Sequence, residues 1–320
     1  MPHKKPLVSI VTPVFNRAGI VRRTIDSVIA QTYPDWELWV VDDGSMDNIV
    51  EVMDSICRSD SRIHFIKRDR EPKSASTCRN IGAKKARGDY LIFLDSDDRL
   101  EPFCLEQRVK VMGADPDLDF AVFPMKVLNS NGKYRQRNFD NGKDALINFL
   151  SKKEYWAILC PIWKKQFFLK TGGFDDNFPR YQDIEFHIKA LACPGVKYRL
   201  YSGYPPDTEV IASAKNDTLD LALRLYASLL LLIPQTYNCL SEIQKTEQMH
   251  YMSAYLKDWL RNLALANFND NVSNKVDEIL KLFYSYKVIS NFNMKVYRNQ
   301  LRLNLFMVKL LKYIFIQTMR

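Results

Sequence analysis

No C-x-x-C pair occurs in this chain: the cysteines at 57, 78, 104, 160, 193 and 239 are scattered through 320 residues without metal-ligand spacing. Neither a dithiol motif nor a cysteine metal cage is therefore available. His3, His64, His187 and His250 also share no ligand spacing, and packing in the core or on the surface is their expected role. No signal peptide precedes the cysteines, so a reduced, cytoplasmic setting is expected. A G-x-G-x-x-G turn after the first apolar run is missing, which excludes a dinucleotide oxidoreductase. Val11 to Asn16 contains neither Gly nor Lys, which removes the Gly-rich basic loop of a sugar nucleotidyltransferase. Internal repeats and low-complexity segments are absent. Acidic residues stop altogether at Glu278, whereas Lys281, Lys287, Lys295, Arg298, Arg302, Lys309, Lys312 and Arg320 follow it.

What is present suffices for a full core. With 47% hydrophobic and 26% charged residues, the chain suits one large domain or a catalytic domain with an appendage. Its formal charge of +9 is concentrated late in the sequence and points to an anionic surface contacted by one end of the molecule. A nucleic-acid role is not expected, because it has no need for the acidic cluster described next.

Leu7 to Val11 is a β-branched run that reads as a buried parallel strand ending in Thr12-Pro13. A helix is expected from Ile20 to Gln31, a second strand over Trp36 to Val41, and a helix over Asn48 to Cys57. Ile63 to Ile66 is a third strand, Arg79 to Ala86 a helix, and Tyr90 to Leu94 a fourth strand. Such alternation signifies an α/β domain with a mostly parallel sheet, in which ligands bind beyond the carboxyl ends of the strands. Shorter elements follow: a strand at Phe120 to Phe123, a helix at Gly142 to Leu150 and another starting at Tyr181. From Asn216 onward the pattern is helical. Leu219 to Ile233 reads as a packed helix stopped by Pro234, too short for a confident membrane span.

Three polar clusters end such strands: Thr12 to Asn16, Asp42-Asp43-Gly44-Ser45 and Asp95-Ser96-Asp97-Asp98. One alone reads as turn chemistry, but three at equivalent positions converge on one crevice. Crowded carboxylates repel one another, and a divalent cation bridging to an anion relieves the repulsion.

Val8 to Asn16, Val40 to Ser45, Arg79-Asn-Ile-Gly82 and Phe93 to Asp98 together resemble the family 2 glycosyltransferases, in order and spacing, over roughly the first hundred residues. The resemblance implies the GT-A fold, an α/β architecture with a mostly parallel central sheet, here with a C-terminal helical extension. It also implies inverting transfer from a nucleotide sugar. Thr12, Pro13, Phe15, Asn16, Asp42, Arg79, Asp95 and Ser96 would then bind nucleotide, with Asp97 and Asp95 holding Mn²⁺ or Mg²⁺ at the diphosphate. A UDP-sugar is favoured, since the Asp42 carboxylate can accept the imide N–H of uracil. Gln182-Asp183-Ile-Glu185-Phe186, preceded by Gly172-Gly-Phe-Asp175, is similar to the family's E-D-x-x-F segment and makes Asp183 the general base. The implied acceptor is a saccharide or lipid-linked saccharide.

The family histidine downstream of the base has no counterpart in Tyr204 to Glu209; Asp207, Glu209 or Lys215 are the available replacements, unless the loop contributes nothing. The expected organisation is a catalytic domain over 1–215, with a nucleotide-sugar half over 1–115 and an acceptor half over 116–215, followed by a helical region over 216–320. Trp156 and Trp163 belong to the acceptor half, either stacking on sugar or packing in the core. Arg298, Arg302, Lys309 and Lys312 form a stripe beside Leu301, Leu305, Phe306 and Leu311, which suits either peripheral contact with the inner face of the cytoplasmic membrane or packing on the domain. The competing function is a catalytically degenerate nucleotide-sugar-binding or membrane-associated interaction protein.

Overall fold

The computed structural model describes residues 5–128, 132–137, 144–153, 156–211, 219–265 and 273–299. Its contacts divide the chain into two units, the first comprising residues 1–146, 154–178 and 182–214 and the second 147–153, 179–181 and 215–320.

The first unit begins with alternating strands and helices: β1 (Val8–Val14), α1 (Val21–Ile29), β2 (Trp36–Asp42), α2 (Ile49–Ser59), β3 (Ile63–Lys67), α3 (Ala75–Lys85) and β4 (Tyr90–Phe93). Then come β5 (Arg99–Leu100), α4 (Cys104–Ala114), β6 (Phe120–Val122), β7 (Met125–Leu128) and β8 (Tyr134–Arg137). After α5 (Ala145–Leu150), most of which belongs to the second unit, the order is β9 (Pro161–Lys164), α6 (Lys165–Lys170), α7 (Gln182–Leu191), β10 (Tyr198–Leu200) and β11 (Thr208–Ile211).

The main sheet has seven strands in the order β10-β6-β9-β4-β1-β2-β3. β1 pairs in parallel with both β2 and β4, so the residues closing these three strands emerge along one sheet edge. All seven residues of β1 are buried, as expected for a central parallel strand covered on both faces. Helix α3 lies close against β1 and β2: a Cβ on Gly82 would stand 2.4 Å from Val11 Cγ1. A second sheet, β5-β11-β7-β8, starts one residue after the acidic cluster.

Arg108 on α4 ties the two sheets together from within. Fully buried, it makes a bidentate pair with Asp207 at 2.8 Å through both Nε and Nη2, and its Nη1 donates to Leu159 O at 2.8 Å. Trp163 is also wholly buried and Trp156 nearly so, with His187 between them at ring separations of 5.9 and 5.7 Å. Both tryptophans are core residues, and sugar stacking by either is excluded. Burial holds the His187 imidazole far below its usual range, at about 3, so it stays neutral.

The second unit contains α8 (Leu219–Cys239), α9 (Glu242–Gln248), a 3₁₀ turn (Met249–Met252), α10 (Ser253–Leu265) and α11 (Ser273–Ser285). α8 does not stop at Pro234 as its sequence suggests. A proline inside a helix forfeits one backbone bond and costs about 3 kcal/mol, but Leu229, Leu232 and Ile233 before it and Thr236 after it are all buried. Packing on both sides carries the helix through. By length and composition α8 could cross a membrane; nonetheless its Tyr226 pairs with Glu278 and Ala222 O accepts from Trp259 at 2.9 Å within this unit. Of the basic stripe, Arg298 pairs with Asp277 at 2.7 Å. Arg302, Lys309, Lys312 and the apolar residues of that stripe, like Lys215, lie outside the described residues.

Candidate active site

Three strand ends build the site. β1 delivers Thr12 and Pro13, both buried, and then the exposed Phe15, whose ring has the Lys73 ammonium 3.4 Å from its centroid. Asn16 takes a left-handed backbone, φ 52°, and joins this loop to the next. Its N–H donates to Ser45 Oγ at 2.8 Å, and its Oδ1 accepts from Met46 N at 2.8 Å. Asp42, at the end of β2, is buried with Oδ1 occupied by Ser45 N at 3.0 Å and Ser45 Oγ at 2.5 Å. Beside it, Asp43 accepts from Arg68 Nε at 2.7 Å.

The third cluster follows β4. Thr24 Oγ1 donates to Ser96 O at 2.9 Å and Arg23 Nη2 to Asp97 O at 3.0 Å, so α1 fixes the backbone of the turn, in which Asp95 and Asp97 are partly exposed. Asp97 has Arg17 Nη2 at 3.9 Å. Asp98 points inward and accepts from Ile211 N at 3.0 Å. Burial pushes its carboxyl up to about 8, with Asp95 and then Asp97 adding to the effect, which reports an excess of negative charge in the turn.

Arg79, on the buried face of α3, donates to Asp95 Oδ1 at 2.5 Å. Asp183 occupies the first turn of α7. Burial raises its carboxyl, an interaction with the Ile184 N–H opposes the rise, and the charges of Arg79 and Asp95 act in opposite directions. Asp95, Arg79 and Asp183 therefore share one electrostatic neighbourhood, although 104 residues separate the first two from the last at most. Cys78, beside Arg79, is inert, because burial pushes its thiol far above neutrality.

The structure corrects one expectation. Asp207 cannot replace the family histidine, because both its carboxylate oxygens are held by Arg108 in the interior. Glu209, on β11, accepts from Tyr134 Oη at 3.0 Å and lies 3.6 Å from Lys126 Nζ. Lys73, Arg17 and Asn80 also belong to this region, although the sequence does not single them out. The first two are cations in loops that follow strands β3 and β1; the third stands within the Arg79-Asn-Ile-Gly82 motif.

A family model described as "Glycosyl transferase family 2" matches residues 9–171, just over half of the chain. The chain belongs to glycosyl transferase family 2. An uncharacterized glycosyltransferase of Rickettsia felis is 38% identical over 127 residues, covering 40% of this chain and 20% of that protein. A putative teichuronic acid biosynthesis glycosyltransferase of Bacillus subtilis, TuaG, is 37% identical over 112 residues, covering 35% of this chain and 44% of TuaG. The chain thus spans less than half the length of either relative. Among solved structures, residues 1–349 of TarS from S. aureus, crystallised with UDP-GlcNAc, superpose with a TM-score of 0.67 at 16% identity, covering 86% of this chain and 81% of that fragment. The fold of this family 2 member is GT-A.

Among the described residues no three His, Cys, Asp or Glu side chains gather so as to hold a metal ion by themselves. The donor set available is two partly exposed carboxylates, Asp95 and Asp97. That set fits a hard divalent cation whose remaining ligands come from a diphosphate and water.

Proposed function

We propose that the protein is a metal-dependent inverting glycosyltransferase that moves a sugar from a UDP-sugar to a saccharide or lipid-linked saccharide acceptor. The observation that carries this reading is the pairing of buried Arg79 with Asp95 within electrostatic reach of Asp183. TarS, which shares the fold, was crystallised with UDP-GlcNAc, and a chondroitin synthase of Pasteurella multocida is 32% identical over 190 residues. The first supports a nucleotide-sugar donor and the second a saccharide product.

In this reading Thr12, Pro13 and Phe15 form the floor for the base, and Asp42 accepts the imide N–H through the oxygen that Ser45 leaves free. Asn16 shapes that floor by linking the first two loops. Arg79 and Lys73 supply positive charge on the phosphate side. Asp97 and Asp95 would hold Mn²⁺ or Mg²⁺, which supplies charge neutralisation for the departing diphosphate. Asp183 takes the acceptor hydroxyl proton, and the elevation of its carboxyl by burial makes it a stronger base than a solvated aspartate. A single in-line displacement then inverts the anomeric carbon. The lysine- and arginine-rich segment after Glu278 supports contact with an anionic membrane, where a lipid-linked acceptor is presented.

The test is incubation with UDP-glucose, UDP-galactose and UDP-GlcNAc in the presence of Mn²⁺, reading free UDP. Metal-dependent release from any of them supports the enzyme. UDP binding without release from any donor would favour the degenerate binding protein instead, and neither binding nor release removes both readings.

A further inference from the structure

Asn80 follows Arg79 on α3 and is buried. Its side chain is directed at the turn Gly172 to Asp176. Nδ2 donates to Phe174 O at 2.8 Å and to Asp176 Oδ1 at 2.7 Å, while Oδ1 accepts from Phe174 N at 3.0 Å. One amide thus fixes a backbone carbonyl, a backbone N–H and a carboxylate of a segment more than ninety residues away. Gly173 has φ 70°, and a Cβ there would stand 2.4 Å from Asn80 Oδ1. The turn accordingly needs glycine both for its left-handed backbone and to admit the amide.

The same turn is bonded to α7. Lys189 Nζ donates to Gly173 O at 2.6 Å and pairs with Glu185 at 2.9 Å, and Asp175 N approaches Glu185 Oε2 at 3.5 Å. Phe174 packs on Phe186 of α7 with ring centroids 4.5 Å apart, and on Phe93 of β4 at 5.0 Å. Glu185 is buried, and burial raises its carboxyl while Lys189 opposes the rise. Asp176 receives, besides Asn80, the guanidinium of Arg70, and Ser74 Oγ donates to its carbonyl at 3.2 Å. The path from Asn80 to the helix that bears Asp183 consists entirely of buried or half-buried contacts.

We infer that Asn80 is a positioning residue for the acceptor-side chemistry: it locks the Gly172–Asp176 turn and, through Glu185 and Lys189, sets the place of Asp183 relative to the donor site. Consecutive residues of one helix then serve the two sides of the reaction, Arg79 reaching the Asp95 carboxylate and Asn80 fixing the support of the base. A buried side-chain amide with every bond satisfied is a rigid joint, since each lost bond would strand a partner. The inference rests on the glycosyltransferase reading above.

The experiment compares the full chain with Asn80→Ala and Asp176→Ala, using UDP and Mn²⁺ as binding probes and the most readily hydrolysed UDP-sugar as the turnover probe. Both variants are expected to keep the wild-type affinity for UDP with Mn²⁺ and to lose turnover at saturating donor, about a hundredfold for a displacement near 1 Å. Amide hydrogen exchange should accelerate over residues 172–176 and the first turn of α7, and remain unchanged in β1 and β4. Equal loss of UDP affinity and turnover would overturn the inference by placing Asn80 on the donor side. Unchanged turnover or unchanged exchange in α7 would overturn it too. Should Asn80→Ala fail to fold, Asp176→Ala, which leaves the Phe174 bonds intact, decides the matter on the same readouts. Failure of the glycosyltransferase reading shows separately, as a wild-type protein without metal-dependent UDP affinity.

Discussion

Arg79 donates to Asp95 across 2.5 Å, while among the described residues its Nε and Nη1 atoms meet no hydrogen-bond acceptor. A buried guanidinium with donors to spare is costly unless a ligand completes it. In the proposed reading an anionic nucleotide would do so.

Replacement of Arg79 by Met should therefore weaken UDP binding more than it weakens the fold. A charge-assisted hydrogen bond is worth about 1.5–3 kcal/mol, so a loss of roughly ten- to a hundredfold in affinity is expected, read by calorimetric titration with UDP and Mn²⁺. Equal affinity in the variant would show that the spare donors serve the protein and not the nucleotide.

Asp97 and Asp183 should separate cleanly. Asp97 is partly exposed, with Arg17 at 3.9 Å as its ion-pair partner among the described residues, and Asp97→Ala should abolish the metal dependence of UDP binding. Asp183→Asn should bind UDP as the wild type does and lose about 10²–10⁴ in turnover, the usual contribution of a positioned base. Side-by-side titrations and UDP-release rates check both.

The pH profile carries a further expectation. Burial raises the Asp183 carboxyl above the ordinary 3.8, so the basic form is lost at a higher pH than for a solvated aspartate, and turnover should fall on the acid side through that raised value. Arg79 favours the ionised form. Its removal should move the acid limb upward, visible in turnover against pH at saturating donor for wild type and Arg79→Met.

His187 makes a stability prediction of opposite kind. Its folded-state value, about 3, lies below the ordinary 6.5 because burial disfavours the imidazolium. Between those values the unfolded chain binds more protons, so stability is full above pH 6.5 and declines as pH falls through this window. The decline from this group is about 1.4 kcal/mol per pH unit. Urea unfolding at several pH values should show a shallower acid dependence in His187→Phe than in wild type.

The legible part of this protein was the part written in local chemistry. β1, β2 and β4 are short β-branched or aromatic runs whose buried pairing in parallel leaves no alternative face, and their terminal polar clusters follow directly. The illegible part depends on partners remote in the chain. Nothing near Asn80 announces Phe174 and Asp176, and nothing near Pro234 announces the burial that carries α8 onward. Asp207 stood where a missing ligand would be sought, and only the arrival of Arg108 from α4 reveals it as a core anchor.

Asp207 supplies the last test. Both residues of the Arg108–Asp207 pair are fully buried, and every nitrogen of the guanidinium is engaged, with Nη1 on Leu159 O. Removing one member of such a pair strands the other charge, which costs about 3–5 kcal/mol, whereas replacing both by apolar residues of similar volume costs much less. Asp207→Ala should thus lower the unfolding free energy steeply, and Arg108→Met with Asp207→Leu should recover much of the loss. A metal ligand would behave otherwise: its loss would change the Mn²⁺ concentration needed for UDP binding and leave the unfolding curve of the metal-free protein in place. Guanidinium unfolding without metal, set beside Mn²⁺ titrations of UDP affinity, distinguishes a core anchor from a ligand in a single pair of variants.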